Sequence, residues 1–387
     1  MVCHHLRPFG ESVFSQMTRL AQAHGAINLG QGFPEEDGPD WLKAAAVESI
    51  WRGPNQYAPS PGDPLLRAAL AAKARRDHGL DYCPETEVTV CSGATGALVA
   101  CFLGLLNPGD EVILLAPVFD CYIPAVLMAG GVPRFLTATA PDFAVDLTAL
   151  EALITPKTRA LLLNTPWNPC GKVFTSEELT ALAQVLERHP QVVAVTDEVY
   201  EHIVFAPHRH RSLASIAGMR ERTLVVSSFA KSLSMTGWKI GYVFGPPRLT
   251  EAVRSAHQFL TFCAAAPLQS ALAGALERLP DFFPTLLAEY QERCEVAMQI
   301  LKNAGLEPLR PQGTYFLLAD VRVLGFASDL DFCLRLPKEV GVAAFPASTL
   351  YRGNEGQGLV RWAFCKRVAT LEEAGRRLEA LGRMPRL

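Results

Sequence analysis

A lysine placed directly behind a buried strand is the residue of this chain best suited to covalent chemistry. Lys231 stands in Ser227-Ser228-Phe229-Ala230-Lys231, after the apolar β-branched run Thr223-Leu224-Val225-Val226. An ordinary lysine amine has a pKa of ~10.4, so at neutral pH roughly one in a thousand is the neutral nucleophile, and freeing it costs about 4 kcal/mol. Sites that bear this cost use the amine to form an imine with a carbonyl. A solvated loop lysine is the plainer reading of Lys231 alone. Its neighbours decide between the two.

In doubly wound sheets ligands bind outside the carboxyl ends of the strands, so the residues behind each apolar run are informative. Asn164-Thr165-Pro166-Trp167-Asn168 follows the run Arg159–Leu163, and Asp197-Glu198-Val199-Tyr200 follows Val192–Val195. Ser92-Gly93-Ala94-Thr95-Gly96 opens a helical pattern. Each part has a role if the ligand is an aromatic aldehyde bearing a phosphate. Gly93, Ala94 and Thr95 offer backbone N–H groups at a helix N-terminus to the phosphate, with a hydroxyl from Ser228 and a charge from Lys239. Asp197 keeps a ring nitrogen protonated, which makes the ring an electron sink. Asn168 and Tyr200 hydrogen-bond a ring hydroxyl, and Phe119 stacks on the ring face. Lys231 holds the aldehyde and then moves a proton between two carbons. Singly these signals are weak, since Asp197 also suits a helix cap and Tyr200 a core. Their succession at strand ends points to one pocket.

The elements that must position them alternate through the middle of the chain. Runs at 111–115, 133–136, 159–163, 192–195 and 223–226 mostly lack polar alternation, as strands buried on both faces do, and their spacing fits βαβ units. Helical patterns intervene at 94–106 and from Ser176, where Thr175 or Ser176 caps the first turn. The turn-rich stretch from Gly53 to Asp63 and the breaks at Pro280 and Pro284 bound this region. The expected fold is α/β: a large domain over 49–280 with a mostly parallel sheet, and a smaller α+β domain built from 1–48 and 281–387. The latter reads as a long helix, strands near 315–318 and 359–364, and a closing helix from Thr370.

Composition narrows the class. The chain has 387 residues, 49 % of them hydrophobic, and a net charge of -3 with scattered basic residues, which excludes a nucleic-acid footprint. Ten cysteines with no C-x-x-C pair suit reduced thiols and a cytoplasmic protein. No apolar run reaches the ~18 residues that span a bilayer. His4-His5 and His208-Arg209-His210 lack carboxylate or thiol neighbours in sequence and read as solvated, so no metal site is expected.

With these residues in view, the chain resembles the fold-type I, pyridoxal-phosphate-dependent class I/II aminotransferases, nearest the methionine and kynurenine branch. The likeness runs from Asn28-Leu29-Gly30-Gln31-Gly32-Phe33-Pro34 through Asn55-Gln56-Tyr57-Ala58, Phe119-Asp120-Cys121-Tyr122 and Ser227-Ser228-Phe229-Ala230-Lys231 to Val360-Arg361-Trp362-Ala363-Phe364. It implies that Lys231 carries pyridoxal 5'-phosphate, that Asp197, Asn168 and Tyr200 contact its ring, and that Lys239 contacts its phosphate. It implies further that Arg361 grips the substrate α-carboxylate by a two-point fork, with Gly32 leaving room beside it. A homodimer is implied, in which Tyr57 and Phe262 complete the partner's site. Trp167 and Thr95 depart from the commoner residues at their positions, Asn or His and Tyr respectively, and bear on side-chain specificity.

The resemblance and an aromatic residue set of Phe14, Phe33, Tyr57, Phe119 and Phe262 imply transamination of an amino acid with a large uncharged or aromatic side chain: methionine, phenylalanine, tyrosine, glutamine or kynurenine. The motifs supply no second arginine for a dicarboxylate. Cysteine-S-conjugate β-elimination is the alternative at the same site. Ser228-Phe229-Ala230-Lys231 matches the S-x-x-K acyl-enzyme motif but lacks its S-D-N and K-T-G companions. A phosphate-binding loop fails at Gly171-Lys172-Val173. A ligand-sensing domain of a regulator would need a DNA-binding module that the opening residues do not encode.

Overall fold

A computed structural model of the chain describes residues 7, 9–53 and 55–384, so Cys3 and His4-His5 lie outside the described residues. The largest sheet has seven strands: β1 (Val88–Cys91), β2 (Glu111–Ala116), β3 (Val132–Thr137), β4 (Thr158–Asn164), β5 (Val193–Asp197), β6 (Thr223–Ser228) and β7 (Gly241–Phe244). Their spatial order is β1-β7-β6-β5-β4-β2-β3, and all run parallel except β7, which opposes β1 and β6. The five expected runs all appear as strands. β1 and β7 are additional, each only four residues long.

Parallel strands need crossovers, and the helices that provide them bury both faces of the sheet. Val112, Leu114, Leu162, Val195 and Val226 pack into one layer with the helix Gly93–Leu105. Ile113, Leu161, Leu163 and Ala194 pack into the other with the helix Ser176–Glu187. That second helix begins with a capping box: Thr175 accepts from the Glu178 amide at 3.2 Å, and Glu178 accepts from the Thr175 amide at 2.9 Å.

A second sheet centres on the antiparallel pair β8 (Phe316–Asp320) and β9 (Leu359–Ala363), with Leu318 opposite Arg361. Near it the two ends of the chain meet, because Ile27–Asn28 pairs in parallel with Val342–Ala343. One core joins Met17 and Leu29 to Phe316, Phe332, Val360, Leu371 and Leu378.

Pro280 and Pro284 do not break the chain as expected. A helix over Leu279–Asn303 passes through both. Pro280 falls in the first turn, where an amide has no intrahelical acceptor to lose. Pro284 lies deeper and gives up one bond, but its neighbours Phe282 and Phe283 pack against two cores and hold the turn. Among the described residues no helix is long and apolar enough to cross a membrane.

Candidate active site

The carboxyl ends of β4, β5 and β6 converge on one cavity of about 220 Å³. Asp197 is the last residue of β5, and Lys231 lies in the one-turn helix Phe229–Ser232 directly behind β6. Asn168, Tyr200, Phe119 and Ser228 line the same space, and Gly93, Ala94, Thr95 and Lys239 close it at a helix N-terminus. Gly93 has φ +73°, and a Cβ there would stand 3.1 Å from Lys239 Nζ, so the close approach of backbone and ammonium needs glycine.

Asp197 is buried and held from three sides. Tyr122 donates its phenol proton to Oδ2 at 2.7 Å, the Val199 amide donates to Oδ1 at 3.3 Å, and Asn164 donates to the Asp197 carbonyl at 2.9 Å. Burial pushes its carboxyl above the usual range, while Tyr122, Val199 and the Lys231 charge draw it back. A buried carboxylate of this kind is stabilised by a facing cation.

Lys231 reaches the Gly32 carbonyl at 3.4 Å, and its amine lies 5.8 Å from the Tyr200 ring centre. Burial lowers its pKa to about 8, against the opposing pull of Cys365 and Asp197. A larger fraction of this amine than of a surface lysine is therefore neutral and able to accept a proton near neutral pH. Tyr315 donates to the same Gly32 carbonyl at 2.7 Å. A Cβ on Gly32 would come within 2.4 Å of the Phe316 ring, so this backbone can sit beside Lys231 only without a side chain.

Arg361 on β9 is fully buried and bridges the two sheets. It donates to Asn168 Oδ1 at 2.9 Å and to the Gly30 carbonyl at 2.6 Å, while its Nε has no partner among the described residues. The rings of Phe316, Phe345 and Phe14 stand 4.1, 4.7 and 5.0 Å from the guanidinium carbon. Burial lowers its pKa to about 10, which leaves it charged at neutral pH. A charged fork tied to Asn168 has the form needed to bind a carboxylate.

Other expected positions lie elsewhere. Tyr57 and Phe262 meet edge to face at 5.3 Å but sit on the surface, away from this chain's own cavity. Phe14 lines the adjoining cavity, and Phe33 is largely exposed beneath Lys366. Trp167 does not line the Lys231 cavity: it is core, donates to the Pro117 carbonyl at 3.1 Å and packs on Phe174. His210 is not solvated as expected, because the fold brings Glu198 to 2.8 Å from its Nε2. Tyr122, Asn164 and Tyr315 are site residues that sequence reasoning missed. Tyr122 and Asn164 had a signal, inside the Phe119-Asp120-Cys121-Tyr122 and Asn164-Thr165-Pro166-Trp167-Asn168 segments, and Tyr315 had none.

A family model for aminotransferase class I and II matches residues 24–378. The chain belongs to the class I and II aminotransferases. Among solved structures, N-succinyldiaminopimelate aminotransferase from Mycobacterium tuberculosis is 45 % identical and superposes with a TM-score of 0.96 over 98 % of this chain and 100 % of that one. Methionine aminotransferase from Escherichia coli strain K12 is 39 % identical over 97 % of each chain. A kynurenine–oxoglutarate transaminase from Dictyostelium discoideum is 36 % identical over 95 % of this chain and 93 % of its own. The seven-stranded mixed sheet is that of fold type I.

Aminotransferases of this family depend on pyridoxal phosphate and use amino acid and 2-oxo acid substrates. The residues present fit that cofactor. One cavity combines an amine of lowered pKa, a buried carboxylate with no cation bonded to it among the described residues, and a helix N-terminus beside an ammonium for an anion.

Proposed function

We propose that this aminotransferase moves the amino group of an amino acid with a large uncharged or aromatic side chain to a 2-oxo acid, with Lys231, Asp197 and Tyr200 as its catalytic residues. One observation carries this reading: Asn168 lines the Lys231 cavity and is bonded to Arg361, whose guanidinium is surrounded by phenylalanine rings. The names of the three relatives given above have donors larger than aspartate, N-succinyldiaminopimelate, methionine and kynurenine, and all three are more similar in sequence than the aspartate aminotransferases that share the fold at 32 % identity.

When bound, the cofactor supplies an aldehyde for the lysine and a ring that withdraws electrons from the donor's α-carbon. Arg361 receives the α-carboxylate, and Asn168 fixes the fork. Lys231 would be the base that takes the α-proton from one carbon and delivers it to the other. Asp197, steadied by Tyr122, would keep the ring nitrogen protonated, while Tyr200 and Asn168 would bond the ring hydroxyl. Gly93, Ala94, Thr95, Ser228 and Lys239 would hold the phosphate, and Phe119 would cover the ring.

Trp51, Tyr57 and Phe259 are 85, 83 and 87 % exposed, a costly apolar surface that supports our reading of a homodimer in which Tyr57 and Phe262 serve the partner's site. The described cysteines are free thiols, which supports a cytoplasmic setting. We retain as a proposal the division into 1–48 with 281–387 and 49–280; the helix Asp40–Arg52 crosses the first boundary.

The test is a donor panel with 2-oxoglutarate as acceptor, following formation of 2-oxo acid. Methionine and phenylalanine should be used well and aspartate poorly. Aspartate as the better donor overturns the reading.

A further inference from the structure

Outside the Lys231 cavity, three segments far apart in sequence bring two imidazoles and a carboxylate together. His78 ends the helix Pro64–His78, Glu198 follows β5, and His210 lies in the connection between β5 and β6. Each offers one ligand atom, and these atoms lie within 4.8 Å of one another. None of the three lines the Lys231 cavity. Bonds of about 2.0–2.1 Å put the ligand atoms of tetrahedral zinc roughly 3.3 Å apart. That spacing falls between the 2.8 Å of the Glu198–His210 contact and the 4.8 Å limit of the set, within reach of side-chain rotation.

Glu198 is fully buried, and among the described residues no ammonium or guanidinium is bonded to it. Thr196 and Ser212 donate their hydroxyls to Oε1 at 2.8 and 2.9 Å, and Oε2 faces His210 Nε2 at 2.8 Å. Hydroxyls of this kind orient a carboxylate ligand. His78 is oriented in the same manner: its Nε2 stands 2.8 Å from Glu201 Oε2, and its Nδ1 has no hydrogen bond among the described residues. A metal-bound histidine uses one nitrogen and gives the other to a carboxylate. The His210 side chain is only 4 % exposed, yet its buried Nδ1 has no partner among the described residues.

A neighbouring set of Asp77, Glu201 and His202 has a similar form but already holds a cation, because Lys73 Nζ lies 2.8 Å from Glu201 and 3.2 Å from Asp77. The Glu198 set has no such ammonium. A cavity of about 250 Å³, lined by His78, His210 and Ser212 and bordered by the exposed Gly79 and Arg211, leads from it to the surface.

We propose that His78, Glu198 and His210 bind a divalent transition metal, and that Zn²⁺, which takes imidazole and carboxylate in a four-coordinate set, is the matching ion. Water from the cavity supplies the fourth ligand. The role is structural: the ion ties the helix Pro64–His78, the end of β5 and the connection to β6, and takes no part in amino-group transfer.

The test uses holoenzyme freed of metal by chelation and gel filtration. In calorimetric titration Zn²⁺ should bind once per chain with a Kd of about 1 μM or tighter. At ~100-fold excess over Kd it should raise the melting temperature by about 3 °C or more. Mg²⁺, which prefers oxygen ligands, should do neither. His78→Ala and His210→Ala should each weaken Zn²⁺ by about 100-fold or more, while the visible absorbance of the bound cofactor stays that of the wild type and shows that the variants are folded. Co²⁺ reads the ligands in the wild type without any substitution: its spectrum should be that of a four-coordinate ion with no thiolate charge-transfer band. Absence of Zn²⁺ binding by the wild type overturns the proposal, as does an equal response to Mg²⁺. Binding that survives both substitutions, or a thiolate band with Co²⁺, also overturns it by placing the ion on cysteines or on the cofactor's phosphate.

Discussion

Tyr122 holds Asp197 by a 2.7 Å hydrogen bond between two buried side chains. Burial raises the carboxyl, and the phenol is the principal group that lowers it again. Tyr122→Phe should leave Asp197 harder to ionise and weaken its grip on a cationic ring. A hydrogen bond to a charged group contributes about 1.5–3 kcal/mol. Titration of the apoenzyme with pyridoxal phosphate should show affinity reduced about tenfold or more, and an unchanged Kd would show that Tyr122 only packs.

Arg361→Lys keeps the charge and loses the fork. The lysine cannot bond Asn168 and the Gly30 carbonyl together with a substrate carboxylate, and it stacks less well on Phe316. Steady-state kinetics with methionine should show kcat/KM lower by about 100-fold, or about 2.7 kcal/mol. A loss under about threefold would mean that another group receives the α-carboxylate.

Gly32→Ala tests the crowding around Lys231. The new methyl would meet Phe316 Cζ at 2.4 Å and must displace either that ring or the carbonyl shared by Lys231 and Tyr315. Overpacking of this kind costs about 1–3 kcal/mol. Denaturant unfolding should report that loss together with reduced turnover; a variant of wild-type stability would mean that the segment shifts freely.

The lowered pKa of Lys231 gives stability a pH dependence of known sign. At pH 7 both folded and unfolded chains hold the proton, and the folded state bears the full cost of the buried ammonium. Between about 8 and 10.5 only the unfolded chain binds it, so the cost fades as pH rises through that window. Lys231→Met should thus stabilise the cofactor-free enzyme at neutral pH by on the order of 1–3 kcal/mol. Urea midpoints should show the gain shrinking toward pH 10; a gain independent of pH would rule out the amine as its source.

Much of this site is legible without coordinates, because a parallel sheet puts its chemistry at strand ends. Asp197, Asn168 and Lys231 each follow an apolar run, and the fold brings them to one cavity. Tyr122 is harder to find: it begins a seven-residue helix, and nothing in its spacing says that its hydroxyl reaches a residue 75 positions away. Trp167 misleads for the opposite reason, since it lies between two site asparagines but its indole turns into the core. Glu198 and His210 pair only because a loop folds back, so neighbours in sequence said nothing of the contact. β1 and β7 are too short for periodicity to distinguish from loops.

The central claim is that Lys231 is the residue that joins the cofactor. Borohydride reduction of the holoenzyme, followed by proteolysis and mass spectrometry, reads that bond directly. The account predicts a pyridoxyl-phosphate adduct on the peptide containing Lys231, lost on prior incubation with excess methionine, and no turnover in Lys231→Ala. An adduct on Lys239 or another lysine, or a Lys231→Ala enzyme with wild-type turnover, would contradict it.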